Sequence, residues 1–315
     1  MAVTPQEETG VPPSPRQGLT MRQMLRYGSR GLYSDIRDRR REPALRKRPT
    51  ARALDPRLHR PIFIVGAPRS GTTFLGSCIG RLPEVSYHFE PRLTNAMAQC
   101  VFEGSWSERR SELMYRFTYS TLVLAGLHGG RRFSEKTPEN SFIVPFLAKM
   151  YPDAQFIHII RDGRDAAVSH AERPWLAAAS AGSGRAGRAG QPWGPNPRWW
   201  VEDERRGEFS KVSDIARSAW CWRRFTQAAL DGVGALPQQR VIEVRYESVV
   251  TDPMGNASTL GEFLGASPAG LEALRAGFGK AKPSSVGRWR KSLDADQLAD
   301  VEREIGPLLS QLGYA

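Results

Sequence analysis

The stretch Pro61-Ile62-Phe63-Ile64-Val65-Gly66-Ala67-Pro68-Arg69-Ser70-Gly71-Thr72-Thr73 constrains the fold more than any other part of this chain. The apolar run reads as a buried strand, Gly66 and Gly71 frame a loop, and Thr72 and Thr73 open a helix. The spacing is that of the phosphate-binding pattern G-x-x-x-x-G-K-[ST]. In that pattern glycines let backbone N–H groups close around phosphate oxygens, the lysine reaches the terminal phosphates, and the hydroxyl residue holds magnesium. Here Thr72 stands where the lysine belongs, and the cation has moved inside the loop to Arg69. N–H groups and the helix dipole favour an anion at such a helix start. Arg69, Ser70, Gly71, Thr72 and Thr73 therefore predict a site for a 5' phosphate group with no metal required.

A second constellation has the same form. Gln155-Phe156-Ile157-His158-Ile159-Ile160 reads as a buried strand, and Arg161-Asp162-Gly163-Arg164-Asp165-Ala166-Ala167-Val168-Ser169-His170 turns from it into a helix. Arg161 stands at the strand's C-terminal end. Ser169 falls about two turns along the helix at 3.6 residues per turn, so the two can close on one separate phosphate. Two phosphate sites imply a doubly phosphorylated ligand. Asp162 and Asp165 are read as caps or braces, not metal ligands.

These two motifs together resemble the sulfotransferases that use 3'-phosphoadenosine 5'-phosphosulfate: P-R-S-G-T-T for the 5' phosphosulfate and R-D-G-R…S for the 3' phosphate. The chain is most similar to the branch containing the tyrosylprotein sulfotransferases and their bacterial relatives, which carry Arg inside the loop. The resemblance runs from about Arg60 to Leu293 and includes Glu135-Lys136-Thr137-Pro138, Arg245-Tyr246-Glu247 and Val286-Gly287-Arg288-Trp289-Arg290-Lys291. It implies a nucleotide co-substrate and a segment around Arg288, Trp289 and Arg290 that closes over it, with Tyr246 as a further contact. Lys136 is then the candidate to neutralise the leaving oxygen. Arg69, the loop amides and Thr72 would stabilise charge on the sulfuryl group through fixed donors. The acceptor hydroxyl also needs a base. Ser86, His88 and Glu90 alternate along one strand face, so both His88 and Glu90 qualify; the resemblance favours Glu90, with His88 the alternative.

Strand candidates at Ile62–Val65, Val85–Phe89, Arg132–Ser134, Phe156–Ile160 and Val241–Val244 each end in a chemically interesting residue. In an open parallel sheet, ligands bind outside the carboxyl ends of the strands. Arg69, Glu90, Lys136, Arg161 and Tyr246 can thus meet in one crevice. The fold class expected is α/β, a P-loop-type three-layer sandwich with a central, mostly parallel sheet flanked by helices. Helices are expected at 72–81, 138–150, 164–171, 213–230 and 253–264, with Trp220 and Trp222 in the core. Residues 179–198, rich in Gly and Pro, read as a flexible loop near the acceptor entrance, and with Arg92 to Leu127 they are expected to shape the acceptor pocket.

The net charge of +12 is mostly a property of the first 60 residues, where 14 Lys and Arg face 6 Asp and Glu. Residues 1–59 are accordingly read as a basic, Pro- and Arg-rich tail, largely disordered or loosely docked, with a possible helix near Leu19 to Leu32. Residues 60–315 form a single domain. Slight aromatic interleaving argues against nucleic-acid binding, although the tail can touch an anionic membrane surface weakly. No apolar run reaches the about 18 residues of a membrane span, and no secretory leader is visible, so the expectation is a cytoplasmic protein. Cys78, Cys100 and Cys221 show no metal or disulfide spacing. The acceptor, a hydroxyl-bearing metabolite, glycan, lipid or peptide, carries no signature here, and neither does the oligomeric state. Two other readings share the loop: a P-loop kinase or NTPase, disfavoured by Thr72 and by the lack of an acidic residue before Arg161, and a noncatalytic nucleotide-binding protein.

Overall fold

The computed structural model describes residues 58–125, 131–187 and 190–314. The tail and its expected helix lie outside the described residues, apart from positions 58 and 59. Five strands, β1 Ile62–Val65, β2 Val85–Phe89, β3 Arg132–Lys136, β4 Gln155–Ile160 and β5 Val241–Arg245, form one sheet in the order β2-β3-β1-β4-β5. Every pairing is parallel. The helices that position the site are α1 Thr72–Ile79, α2 Arg92–Phe102, α3 Glu108–Ala125, α4 Val144–Met150, α5 Gly163–Ala171, α6 Asp214–Gly234, α7 Pro253–Leu264, α8 Pro268–Phe278 and α9 Ala295–Gln311.

Both faces of the sheet are covered, which is why β1 is apolar without alternation. Phe63 and Val65 pack with Met97, Tyr119, Leu147 and Ala229 from α2, α3, α4 and α6. Ile62 and Ile64 pack on the opposite face with Leu75, Leu260, Leu274 and Phe278 from α1, α7 and α8. A third cluster joins α5, α6 and α9 beside the end of β4 through Ala167, Trp222 and Ile305, and Trp220 lies in it as the pattern predicted. Helix starts are signalled locally. Asp162 caps α5 by accepting from Arg164 N at 2.9 Å, and Ser213 caps α6. Asp294 and Gln297 form a reciprocal capping box on α9.

Two elements differ from the sequence reading. β3 continues past Ser134 through Glu135 and Lys136, because both residues are held in parallel register, Glu135 opposite Phe63 and His88, Lys136 opposite Ile64 and Phe89. The helix expected over 138–150 is a 3-10 turn, Pro138–Ile143, followed by α4. Pro145 explains the break: it has no N–H to donate to the preceding turn, so it sits in the first turn of a new helix, which the chain enters through non-helical Ile143 at φ −128°. Residues 179–198 carry little regular structure but are tied down. Trp193 N donates to Arg185 O at 2.9 Å, Gly194 N to Trp175 O at 3.1 Å, and the Arg198 guanidinium bonds the carbonyls of Pro192 and Trp175. Among the described residues no helix is long and apolar enough to cross a membrane.

Candidate active site

The loop after β1 is built from backbone geometry that side chains resist. Gly66 has φ 140°, and a Cβ there would lie 2.4 Å from the Ile159 carbonyl oxygen; Gly71 has φ 95°, and a Cβ would lie 2.6 Å from the Tyr246 ring. Among the described residues only Arg60, Arg69 and Glu90 are non-glycines with positive φ, at 43°, 70° and 41°. Two of these three line one cavity of about 580 Å³ at the carboxyl ends of the strands. Strained backbone of this kind persists where a surrounding structure holds it for use. The loop is anchored by Gly66 N, which donates to Ser141 Oγ at 3.0 Å, and by Ser70 N, which donates to Ala67 O at 3.1 Å. The Ser70 hydroxyl is buried and has no hydrogen-bond partner among the described residues.

Cations gather beside the loop. Arg69 Nε donates to Ser169 Oγ at 3.1 Å, so Arg69 spans the two motifs that the sequence treated as separate phosphate sites. The buried Arg161 donates to Arg69 O at 3.0 Å and to Ser285 O, lies 5.0 Å over the Tyr246 ring, and leaves its Nε without a partner. Burial first, then the charges of Arg173 and Arg161, hold Arg69 below the usual arginine range. Arg69, Arg161, Arg173 and Arg288 meet two carboxylates here, Asp165 at 3.9 Å from Arg161 and Glu172 paired with Arg288. The surplus of about two positive charges suits a phosphate dianion.

The C-terminal segment is fastened to this cluster. Asp165, fully buried, accepts from Gly287 N at 2.7 Å and Trp289 N at 3.0 Å. Trp289 lies between the guanidiniums of Arg164 at 4.2 Å and Arg290 at 4.6 Å. Tyr246 opens the short helix 246–251, and its hydroxyl lies 2.8 Å from Ser285 Oγ. Its ring fills the space left by Gly71, so Tyr246 supports the loop without lining the cavity.

The opposite wall carries Glu90 and Lys136. Lys136 is almost entirely buried at the end of β3 and forms an ion pair with Glu90, its ammonium 4.2 Å over the Phe89 ring. Glu90 N donates to Lys136 O at 2.9 Å, and the positive φ of Glu90 turns its side chain into the cavity. His88 goes elsewhere. It is buried, stacks on Phe133 at 4.6 Å between ring centroids, lies 3.5 Å from Ser86 Oγ, and does not line the cavity. Beneath Lys136, buried Glu135 accepts from Thr94, Thr137 and Asn140 at 2.6, 2.8 and 3.1 Å and also from Tyr119. Burial raises its pKa, and these bonds oppose the rise. Glu135 therefore fixes α2, α3 and the 3-10 turn around the lysine.

Several lining residues carry no motif in the sequence. Glu139 borders Glu90 and Lys136; protein surrounds it although part of its surface meets the cavity, and burial, then the Glu90 charge, push its carboxyl up to about 8. Burial and the neighbouring Arg69 and Arg198 depress His170 to about 3, so it is neutral. Trp175, Trp193, Trp199, Trp200 and Phe225 supply an aromatic wall. Described residues of the loop 179–198 contribute to it, whereas among the described residues of the segment 92–127 only Asn95 reaches the cavity. Neither Glu139 nor the tryptophans carried a sequence signal for this place.

The fold and the loop define a P-loop-type α/β sandwich with an anion cradle at the carboxyl ends of its strands. Residues 61–186 match the model of the Sulfotransferase family, which this part of the chain resembles. The chain is 22% identical over 285 residues to protein-tyrosine sulfotransferase A of Caenorhabditis elegans, covering 80% of this chain and 67% of the relative. It is 27% identical over 299 residues to nodulation protein NoeE of Sinorhizobium fredii (strain NBRC 101917 / NGR234), covering 80% and 65%. The chain thus spans about two thirds of the length of these relatives. The sulfotransferase domain from the curacin biosynthetic pathway has the same fold, with a TM-score of 0.50 at 15% identity over 82% of this chain and 99% of that one.

Proposed function

We propose that the chain transfers a sulfuryl group from 3'-phosphoadenosine 5'-phosphosulfate to a hydroxyl, in preference to an amine, of an acceptor held in the same cavity. The observation that carries this reading is the continuity of one cavity from the arginine-bearing phosphate loop to the Glu90–Lys136 pair. The residues present fit the nucleotide. The Ser70 hydroxyl and Arg161 Nε are buried polar atoms without partners among the described residues. Arg69, Ser70, Gly71, Thr72 and Thr73 would hold the 5' end, Arg161, Ser169 and Arg288 the 3' phosphate, and Trp289 with Arg290 the base.

When bound, the phosphosulfate supplies an electrophilic sulfur and a phosphate leaving group. Lys136 stands where charge on the departing oxygen needs a cation, and Arg69 with the loop amides stabilises the sulfuryl oxygens. Glu90 removes the acceptor proton, for which its exposure to the cavity and pairing with Lys136 place it better than the stacked, buried His88. Residues 60–315 act as one domain in this reading.

Calorimetric titration with adenosine 3',5'-bisphosphate, against ADP and ATP with and without magnesium, tests it. Selective binding of the bisphosphate without magnesium is expected. Preference for magnesium-ATP would overturn the assignment in favour of a kinase or NTPase.

A further inference from the structure

Glu139 has a chemical position that the transfer reaction itself leaves unexplained. One carboxyl oxygen accepts from Asn95 Nδ2 at 2.7 Å. The carboxyl also takes a hydrogen bond from its own backbone N–H, and it forms no ion pair with a Lys, Arg or His among the described residues. The cation beside it, Lys136, is held by Glu90. Glu90 and Glu135 both oppose a second negative charge, while Cys221 from α6, neutral His170 from α5 and Arg198 complete the titratable groups around this part of the cavity. A carboxyl so placed keeps its proton, and a neutral carboxylic acid must donate that O–H to something. Glu139 lines the cavity.

The rest of the wall limits what that something is. The aromatic side chains favour a flat or ring-shaped ligand. Polar groups that might read a polyol are already engaged: Asn95 on Glu139, Gln191 on Gln99 at 3.4 Å, and Arg198 on two backbone carbonyls. The buried indole N–H of Trp193 is a remaining donor with no partner among the described residues. A molecule with many hydroxyls would lose hydration here without replacement.

We infer that Glu139 is a specificity residue of the acceptor site, donating its carboxylic O–H to an oxygen of an uncharged ring acceptor other than the oxygen that is sulfated. The inference rests on the sulfotransferase reading for the identity of the ligand as an acceptor. Anionic acceptors are disfavoured by Glu90, and cationic ones require Glu139 to ionise first.

Four phenols of one shape test it: 4-ethylphenol, with no remote polar group; 2-(4-hydroxyphenyl)ethanol, with a neutral oxygen; tyramine, a cation; and 4-hydroxyphenylacetate, an anion. Each is titrated calorimetrically into the full chain saturated with adenosine 3',5'-bisphosphate, at pH 6.5 and pH 9. At pH 6.5 the alcohol should bind about fivefold or more tighter than 4-ethylphenol, as one net hydrogen bond allows, and the anion weakest. At pH 9 tyramine should gain on the alcohol, whose hydroxyl then donates to the ionised carboxylate instead of accepting from it. Glu139→Gln, which keeps a donor, should retain the alcohol's advantage at both pH values, and Glu139→Ala should abolish it with 4-ethylphenol affinity unchanged. A purely packing role would not separate these two variants or remove the pH dependence in one of them. Equal binding of the alcohol and 4-ethylphenol, an advantage that survives in Glu139→Ala, or binding of none of the four overturns the inference. If the bisphosphate itself does not bind, the sulfotransferase reading falls instead, and the same titrations without it still decide what Glu139 recognises.

Discussion

The two halves of the cavity are made by different means. On the side assigned to the donor in the proposed reaction, Gly66 to Thr73 and Arg161 to Ser169 are short contiguous segments, the first shaped largely by its backbone, with glycines at φ 140° and 95° and amides at a helix start. On the acceptor side, Glu139, Trp193, Trp199, Trp200 and Phe225 come from a 3-10 turn, a loop and the middle of α6, and only tertiary packing brings them together. A site read by backbone tolerates little local change and is written in consecutive residues. A site read by scattered side chains can change its ligand one position at a time while the donor half stays intact. Such a division suits one co-substrate and variable acceptors.

The sharpest way to break this division is at Glu90, which faces both halves. Glu90→Gln should lower turnover about 10²–10⁴-fold on any acceptor found to be sulfated, the range for loss of a general base, while the affinity for adenosine 3',5'-bisphosphate changes little. Rates followed by mass spectrometry of the sulfated product, beside calorimetry, separate the two. Normal turnover would remove the base assignment from Glu90.

Arg69→Ala should do the reverse. The Arg69 guanidinium bonds Ser169 and stands among like charges that only an anion relieves. Its removal should weaken bisphosphate binding by about 1.5–3 kcal/mol, roughly 10–150-fold. Affinity for the phenols used above should hold. Loss of both in parallel would mean that the halves are coupled, and the comparison would fail. Arg161→Ala should weaken the nucleotide too, but with lower thermal stability, since Arg161 also ties Arg69 O to the segment at Ser285.

How much of this was legible follows from the same contrast. All five strands stand where the sequence reading placed them, and the parallel sheet followed from what lay at their ends. The exceptions have local physical causes. Glu135 and Lys136 look like turn residues, yet register with β1 and β2 keeps them extended, and four partners satisfy the buried carboxylate. Pro145 divides what periodicity presents as one helix. His88 and Glu90 share a face in an ideal strand, but the φ of 41° at Glu90 breaks the alternation and sends the two side chains to different surroundings. Arg69 bridging to Ser169 joins motifs 100 residues apart, a closure no spacing rule encodes. Glu139 lacked any pattern because its property is environmental: the same residue in water is an ordinary carboxylate.

The backbone origin of the donor half has its own test. Gly71→Ala places a Cβ where the Tyr246 ring sits and forces a side-chain residue into φ 95°. The expected loss is about 1–3 kcal/mol of stability, read from denaturant midpoints, accompanied by weaker nucleotide binding. Tyr246→Ala in the same background should recover part of the stability by removing the clash but not the φ strain. Full stability in Gly71→Ala alone would show that the loop adapts and that its glycines are not what shape it.

The smallest effect isolates Glu139 from the acceptor altogether. Its folded carboxyl is pushed up to about 8 from an ordinary value of 4.5 by burial first and Glu90 second, so between those two pH values the native state holds a proton that the unfolded chain has lost. Stability contributed by this group is therefore complete below about pH 4.5 and is lost as pH rises toward 8. His158 and His170, depressed to about 4 and about 3, act in the opposite sense. The unfolded chain takes up their protons below about 6.5, and stability falls as the solution is acidified. Both histidines are common to the wild type and Glu139→Gln, so the difference between the two proteins cancels them. That difference should be smallest at or below about pH 4.5 and should grow in favour of the glutamine variant up to pH 8, read as a widening gap in Tm. A difference that stays flat with pH would mean that the carboxyl ionises normally, leaving the acceptor half of the cavity with a charge where the geometry calls for a neutral donor.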